Sequence, residues 1–423
     1  RIPPDAAVAL RLLPIVDFIE PQSVGTPAAS LTSQDTGWGA RAIGADQVWA
    51  SYGIAGEAAA ITLLDTGIDS LHRRNPLLDG PAGEGPFGDC LYVTGVASSC
   101  YQGYVHGSHV AGIISARDND VGAIGIAHAP GGFAAVRVCD DDAHCPDWAI
   151  AAALDWASSL PLQRHIVNMS LQLCSGGTLL AAAVQQAADA GLLLVASTGN
   201  VSESCEPGTL PGATGVMFPA RYTAVIGVSG VTQSGEFWDG SRFGPEVGLS
   251  APSGAWSMVA NGQWNTLTGT SMAAAVVSGV AALVWTAHPN WTAAQVRQQL
   301  VTTAVDIAPF GTDQFTGAGR VNAIGAVMPF SYPPGTASIT GVTEVRPNAT
   351  CSWYVSTDLT EQPLAYQWVV DGVPVGSNDP TLTYTAGADP FTIVVAIRDS
   401  QWRPASATLQ VTVSSAAGSC ADQ

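Results

Sequence analysis

Lysine is absent from this 423-residue chain, so all 15 cations are arginine, set against 34 Asp and Glu for a net charge of −19. Such a balance argues against nucleic acid or an anionic membrane as partner, because both require a cationic face. Charged residues are scarce overall, at 12%, while hydrophobic residues reach 47%. That combination excludes a disordered polymer and predicts a large buried core. Long uninterrupted apolar runs are missing too: none reaches the roughly 18 residues of a membrane span. The chain opens on Arg1 without a charged stretch leading into an apolar one, so the pattern of a signal peptide is not in view. Metal signatures are also lacking, with no Cys-x-x-Cys and no Cys/His cluster at zinc spacing.

What cysteine there is comes as eight residues in local pairs: Cys90 and Cys100, Cys139 and Cys145, Cys174 and Cys205, Cys351 and Cys420. Eight cysteines allow about 105 connectivities; the short separations favour pairing between neighbours. Disulfides imply an oxidising compartment, hence a secreted, extracellular protein.

The length predicts two or three domains. Residues 1–30 end in a Pro/Ser/Ala-rich strip. Residues 31–330 alternate buried strand-like runs, at 58–65, 134–138, 165–171, 192–198 and 224–230, with helix-like stretches at 149–158 and 179–190. Alternation of this kind predicts a parallel sheet covered by helices on both faces, an α/β fold whose active site lies beyond the carboxyl ends of its strands. Asp65 and Asn200 fall at such ends. After the linker-like stretch 331–335, short alternating strands at 365–372, 381–387, 391–400 and 407–413 predict a small all-β sandwich over 336–423.

Three short blocks carry chemistry: LLDTGID around Asp65, HGSHVAG around His106 and GTSMAAA around Ser271. A serine nucleophile at neutral pH needs a base to take its proton, and that base needs a third group to fix its tautomer and balance its charge. In these blocks, in the order Asp, His, Ser, the chain resembles the subtilisin-like serine proteases, the subtilases. The resemblance extends to 242–252, 288–300 and 317–323 and covers about residues 31–330. It implies that Asp65 orients His106, that His106 is the base and that Ser271 is the nucleophile. His109, three residues on, is expected to be a structural histidine. Ser271 opens a helix whose N-terminus favours a developing oxyanion; Ala275 stands where the family pattern usually has Pro.

The same resemblance assigns Asn200, after Gly199, as the second oxyanion donor. It places substrate against Ser170, Leu171 and Gln172, with Gln172 where the family usually has Gly, so the rim should be more crowded. Met217 falls at the floor of the primary specificity pocket, implying a shallow apolar pocket and a preference for apolar residues before the scissile bond. No cofactor is needed for the chemistry. Gln34 and Asn119, in the loop 118–125, resemble one family calcium site, although Arg74 and Asn75 fall where the family has an acidic ligand. VDFIEP at 16–21 resembles the tail of a prosegment, so residues 1–30 read either as such a tail, with the prosegment as inhibitor, or as an N-terminal extension. The C-terminal part resembles an immunoglobulin-like module in its Cys351 and Trp368, but departs from it in having no second Cys on the 391–400 strand. Cys420 is expected to staple the tail instead. Trp353 and Trp402 are candidates for binding a polymer surface if exposed, and core residues otherwise. The expected partners are protein or peptide substrates, and the enzyme is expected to be a monomer. The rival reading is a binding or adhesion protein with a silent protease domain, which gives no reason to keep all of Asp65, His106, Ser271 and Asn200.

Overall fold

The computed structural model describes residues 34–69, 90–100, 105–120, 122–202, 215–259, 263–309, 311–328, 336–359, 364–371, 373–375, 378–398, 404–417 and 420. The strip at 1–30, Arg74, Asn75, Cys205, the 331–335 stretch and Trp402 lie outside them. The chain divides into two compact units, Arg1–Ile307 with Thr312–Val327, and Ala308–Gly311 with Met328–Gln423.

In the first unit seven strands form one parallel sheet: β1 (Ala60–Asp65), β2 (Cys90–Tyr92), β3 (Gly132–Arg137), β4 (His165–Met169), β5 (Leu193–Ser197), β6 (Val225–Val231) and β7 (Val247–Pro252), in the order β2-β3-β1-β4-β5-β6-β7. Every residue of β3, β4, β5 and β6 is buried. Strands covered on both faces cannot alternate with polar residues, which is why they read as continuous apolar runs. Helices α1 (Gly37–Ala42), α2 (Ala45–Tyr52), α3 (Val105–Ser115), α4 (Asp147–Ser159), α5 (Thr178–Asp189), α6 (Thr270–Ala287), α7 (Ala293–Thr302) and α8 (Ala323–Val327) flank it, and β8 (Gly254–Val259) with β9 (Gln263–Thr268) make an antiparallel hairpin. The predicted α/β sheet is therefore present.

Helices α4 and α5 bury Ala149, Ile150, Leu180 and Val184 in one core with Leu64, Val167 and Met169 of the sheet. Helix α6 packs against β4–β7. At 18 residues it is the one helix among the described residues long and apolar enough to cross a membrane, yet 89% of it is buried inside the protein. Its small side chains, Ala273, Ala274, Ala275 and Gly279, let it run through the core, where a Cβ on Gly279 would meet the Ile126 side chain at 2.5 Å. Ala275 simply continues this helix.

The second unit is all-β. β10 (Ala337–Thr340), β12 (Thr350–Thr357) and β15 (Thr381–Thr385) form one sheet, and β11 (Glu344–Val345), β13 (Ala365–Val370), β14 (Val373–Val375), β16 (Phe391–Arg398) and β17 (Pro404–Val413) another. They share a core of Trp353, Trp368, Leu382, Phe391, Ile393 and Val411. Trp353 is fully buried and donates from Nε1 to Val342 O at 2.9 Å, so it is a core residue and not a surface aromatic. Cys351 on β12 is bonded to Cys420, beyond β17, stapling the tail as expected. Cys90 is bonded to Cys100 and Cys139 to Cys145, each to its neighbour. Cys174 is also disulfide-bonded.

Candidate active site

β1 delivers Asp65 at its carboxyl end, only 2% exposed, and α3 delivers His106 in its first turn. His106 Nδ1 lies 2.8 Å from Asp65 Oδ1. With Nδ1 facing a carboxylate, the neutral ring carries its proton there and leaves Nε2 as a base. The same Oδ1 accepts the Thr66 N–H at 2.7 Å and the Thr66 hydroxyl at 3.1 Å. The Gly107 N–H donates to Thr66 Oγ1 at 3.1 Å, tying the helix start to the strand end. Glycine is required at 107 because a Cβ there would sit 2.0 Å from Gly67 O and 3.1 Å from Asp65 Oδ1. The His106 side chain is 37% exposed, a base accessible from solvent beside a buried acid.

Ser271 occupies the first turn of α6 and donates from Oγ to Ser170 O at 3.3 Å. Ser170 Oγ in turn donates to Ser271 O at 2.8 Å. Behind them a buried ladder runs from Ser278 Oγ to Asn168 Oδ1 (2.9 Å) and from Asn168 Nδ2 to Ser170 Oγ (2.9 Å). It locks α6 to the end of β4 with polar groups that are all satisfied, the condition under which a buried network rigidifies its surroundings. Asn200, just past β5, accepts at Oδ1 from Thr270 N (3.1 Å) and Thr270 Oγ1 (3.0 Å). Those two donors fix which amide atom is oxygen, so Nδ2 points away from Thr270.

The residues expected to face substrate come together around this centre. Ser170 and Leu171 are buried, as is Met217. Gln172 Oε1 accepts the Asn200 N–H at 3.0 Å. Gly199 adopts φ 99°, and a Cβ on it would lie 2.7 Å from Gln172 Oε1 and 2.8 Å from Met217 Sδ. Gln172 thus leaves no room for a side chain at 199. Leu173 and Phe218 exchange hydrogen bonds of 2.7 and 3.1 Å, fixing the Met217 segment beside the 170–173 segment. His109 is fully buried, with Nε2 3.1 Å from Asn265 O, and burial pushes its pKa down to about 3. It is the neutral structural histidine expected. Sequence reasoning gave no role to Arg242, Asn168 or Ser278. Arg242 opens a block that carries only the family resemblance, and Ser278 is one hydroxyl in an apolar helix.

Of the pair expected at the calcium site, Gln34 is engaged otherwise. Gln34 Oε1 accepts from Asn119 N (3.0 Å) and Asp120 N (3.1 Å), while Gln34 Nε2 donates to Arg117 O (2.5 Å) and Ala123 O (2.8 Å). The converging carbonyls are therefore met by an N–H₂ group, and calcium takes oxygen ligands only. The residues as arranged do not fit the ion, because the Gln34 amide fills its place. Melting temperature should be unmoved by chelator in the native sequence, whereas Gln34→Glu, which turns an oxygen toward both carbonyls, should become calcium-dependent. Differential scanning fluorimetry with and without chelator checks this. A chelator-induced drop in the native protein that Asn119→Ala removes would overturn it.

Residues 56–319 match the model of the Subtilase family, peptidase S8. The chain is similar to a thermostable alkaline protease of Halalkalibacterium halodurans, 35% identical over 292 residues that cover 69% of this chain and 73% of that protein. It is similar to subtilisin E of Bacillus subtilis, 32% identical over 279 residues, 66% of this chain and 68% of that one. Alkaline elastase YaB of a Bacillus species is 32% identical over 324 residues, 76% and 77% of the two chains.

Proposed function

This chain belongs to the subtilase family and is a subtilisin-like serine peptidase, and from that premise we propose that Asp65, His106, Ser271 and Asn200 carry its chemistry. His106 Nε2 takes the proton of Ser271 Oγ as that oxygen bonds to the scissile carbonyl carbon. The carbonyl π electrons move onto oxygen, which the Asn200 amide N–H and the Ser271 backbone N–H hold. Collapse of this intermediate breaks the C–N bond, with the proton passing from His106 to the leaving amine. Water, deprotonated by His106, then hydrolyses the acyl-enzyme. The observation that carries this reading is the 2.8 Å contact from His106 Nδ1 to a carboxylate buried at the end of β1.

We propose further that the enzyme is an extracellular endopeptidase, a reading supported by its disulfides. A preference for apolar residues before the scissile bond is supported by the apolar side chains of Leu171 and Met217 in the segments beside Gly199 and Asn200. An immunoglobulin-like reading of the C-terminal unit is supported by its two sheets closed over Trp353 and Trp368. Intact-mass spectrometry after incubation with a fluorophosphonate tests the nucleophile. A single adduct is expected, lost in Ser271→Ala. An adduct that appears only after residues 1–30 are removed would support their reading as an inhibitory prosegment tail. No adduct on either form would overturn the peptidase mechanism.

A further inference from the structure

Asn200 is held on more sides than a donor in a turn requires. Its N–H donates to Gln172 Oε1 at 3.0 Å, and its C=O accepts from Arg242 Nε at 3.1 Å. The Arg242 backbone N–H donates to the preceding carbonyl, Gly199 O, at 2.8 Å. Arg242 is 3% exposed, and its guanidinium also reaches Gly215 O at 3.5 Å. With Thr270 bonded to Oδ1, the backbone and side chain of Asn200 are fixed from three separate segments. Gly199 makes room for the arrangement: a Cβ there would fall 2.7 Å from Gln172 Oε1 and 3.0 Å from Arg242 Cδ.

We propose that Gln172 and Arg242 are positioning residues that clamp the Asn200 peptide and so aim its side-chain N–H₂ at the developing oxyanion. The inference rests on the role given above to Asn200. Preorganised donors stabilise a transition state because they need not reorient as charge appears, and that advantage is lost when their support loosens. Gln172 supplies a neutral acceptor on the substrate side and Arg242 a planar, always-charged donor on the core side. A free Gly-Asn turn fluctuates; a residue whose two flanking peptide units are held, one at its N–H and the other at its C=O, does not.

The test is a double-mutant cycle on a chromogenic peptide, with kcat and KM read separately for Gln172→Met, Arg242→Lys and Asn200→Ala, and for each of the first two combined with Asn200→Ala. Gln172→Met keeps the side-chain length but removes the carbonyl acceptor. Asn200→Ala should lower kcat by about 10²–10³-fold, the size of effect known for such a donor in subtilisin. Gln172→Met should lower kcat by about tenfold, since misplacing a catalytic donor costs rate, while any change in KM reports the substrate rim that Gln172 also faces and does not read the clamp. In the Asn200→Ala background neither substitution should cost anything further, whereas a general structural role would lower kcat equally in both. An equal loss in both backgrounds, or an unchanged kcat in the single variants while Asn200→Ala keeps its full effect, overturns the clamp alone. An Asn200→Ala protein with native kcat overturns the oxyanion assignment itself. If Arg242→Lys does not fold, the Gln172 arm decides.

Discussion

Replacing Asp65 by Asn should reduce kcat by about 10⁴-fold while leaving KM and the fold nearly unchanged. That is the loss found for the equivalent change in another serine protease with this triad. The physical reason is visible in how the carboxylate is held. All three described donors to Asp65, from His106, Thr66 N and Thr66 Oγ1, converge on Oδ1, and the buried Oδ2 has no hydrogen-bond partner among the described residues. A carboxylate so poorly solvated interacts strongly with a positive charge appearing on the adjacent ring. An asparagine keeps the shape and the Thr66 bonds but supplies no charge to balance imidazolium. It also puts an N–H₂ where Nδ1–H must donate, or strands that group in the apolar surround. The segments 170–172 and 216–218, proposed to face substrate, make no hydrogen bond to this carboxylate among the described residues, so binding should survive. Steady-state kinetics, with circular dichroism to verify the fold, checks it. An Asp65→Asn enzyme with native kcat would show that His106 works without its partner.

Where the sequence was readable, it was because one physical requirement dominated. β4 and β5 are covered on both faces, so mainly apolar residues survive there, and the polar ones, such as His165 and Asn168, are hydrogen-bonded inside. Asp65, His106 and Ser271 are surrounded by glycine and small residues because backbones close to within contact distance around them, as the 2.0 Å approach blocked at Gly107 illustrates. The neighbouring cysteines pair because little chain separates them. What escaped was whatever depends on the direction of one polar atom. Gln34 was matched to a calcium ligand by residue type, but only the positions of Asn119 N and Asp120 N decide that its oxygen turns away from the carbonyls. Arg242 carries no sequence signal of its own, because its burial comes from backbone carbonyls of Gly199, Asn200 and Gly215 that only the fold brings to it. The side chains of Gln172 and Arg242 meet on one residue, Asn200, although they come from segments 70 residues apart in sequence, by their numbering. Trp353 stays open between surface and core because alternation along β12 cannot say which face is inward until the second sheet is placed; the burial of Cys351 and Trp353 on one face settles it as core.

The protein should lose stability as pH falls below about 6.5, before ordinary carboxylates titrate. Two histidines are buried with one ring nitrogen each bonded: His109 to Asn265 O, and His165 to Thr62 Oγ1 at 2.7 Å. The other nitrogen of each, Nδ1, is buried without a partner among the described residues. Burial penalises the charged ring and pushes the pKa down to about 3 for His109 and about 4 for His165, from 6.5. His128 is lowered as well, again chiefly by burial. In the unfolded chain these rings protonate near 6.5, so between there and the folded values the unfolded state binds more protons and acid favours it. The neutral-ring contribution is complete above 6.5 and is spent as pH falls toward 4 for His165 and 3 for His109. At about 1.4 kcal/mol per unit for each ring, His109 and His165 together should cost several kcal/mol by about pH 4.5, a large share of the roughly 5–15 kcal/mol of a typical domain. Urea denaturation of the Ser271→Ala protein, which cannot digest itself, should show a midpoint falling steadily from about pH 7 to about pH 5. His165→Gln should start less stable at about pH 8 yet fall less steeply. A midpoint that is flat over that range would mean that these rings are hydrated or paired in solution and titrate as they do in the unfolded chain.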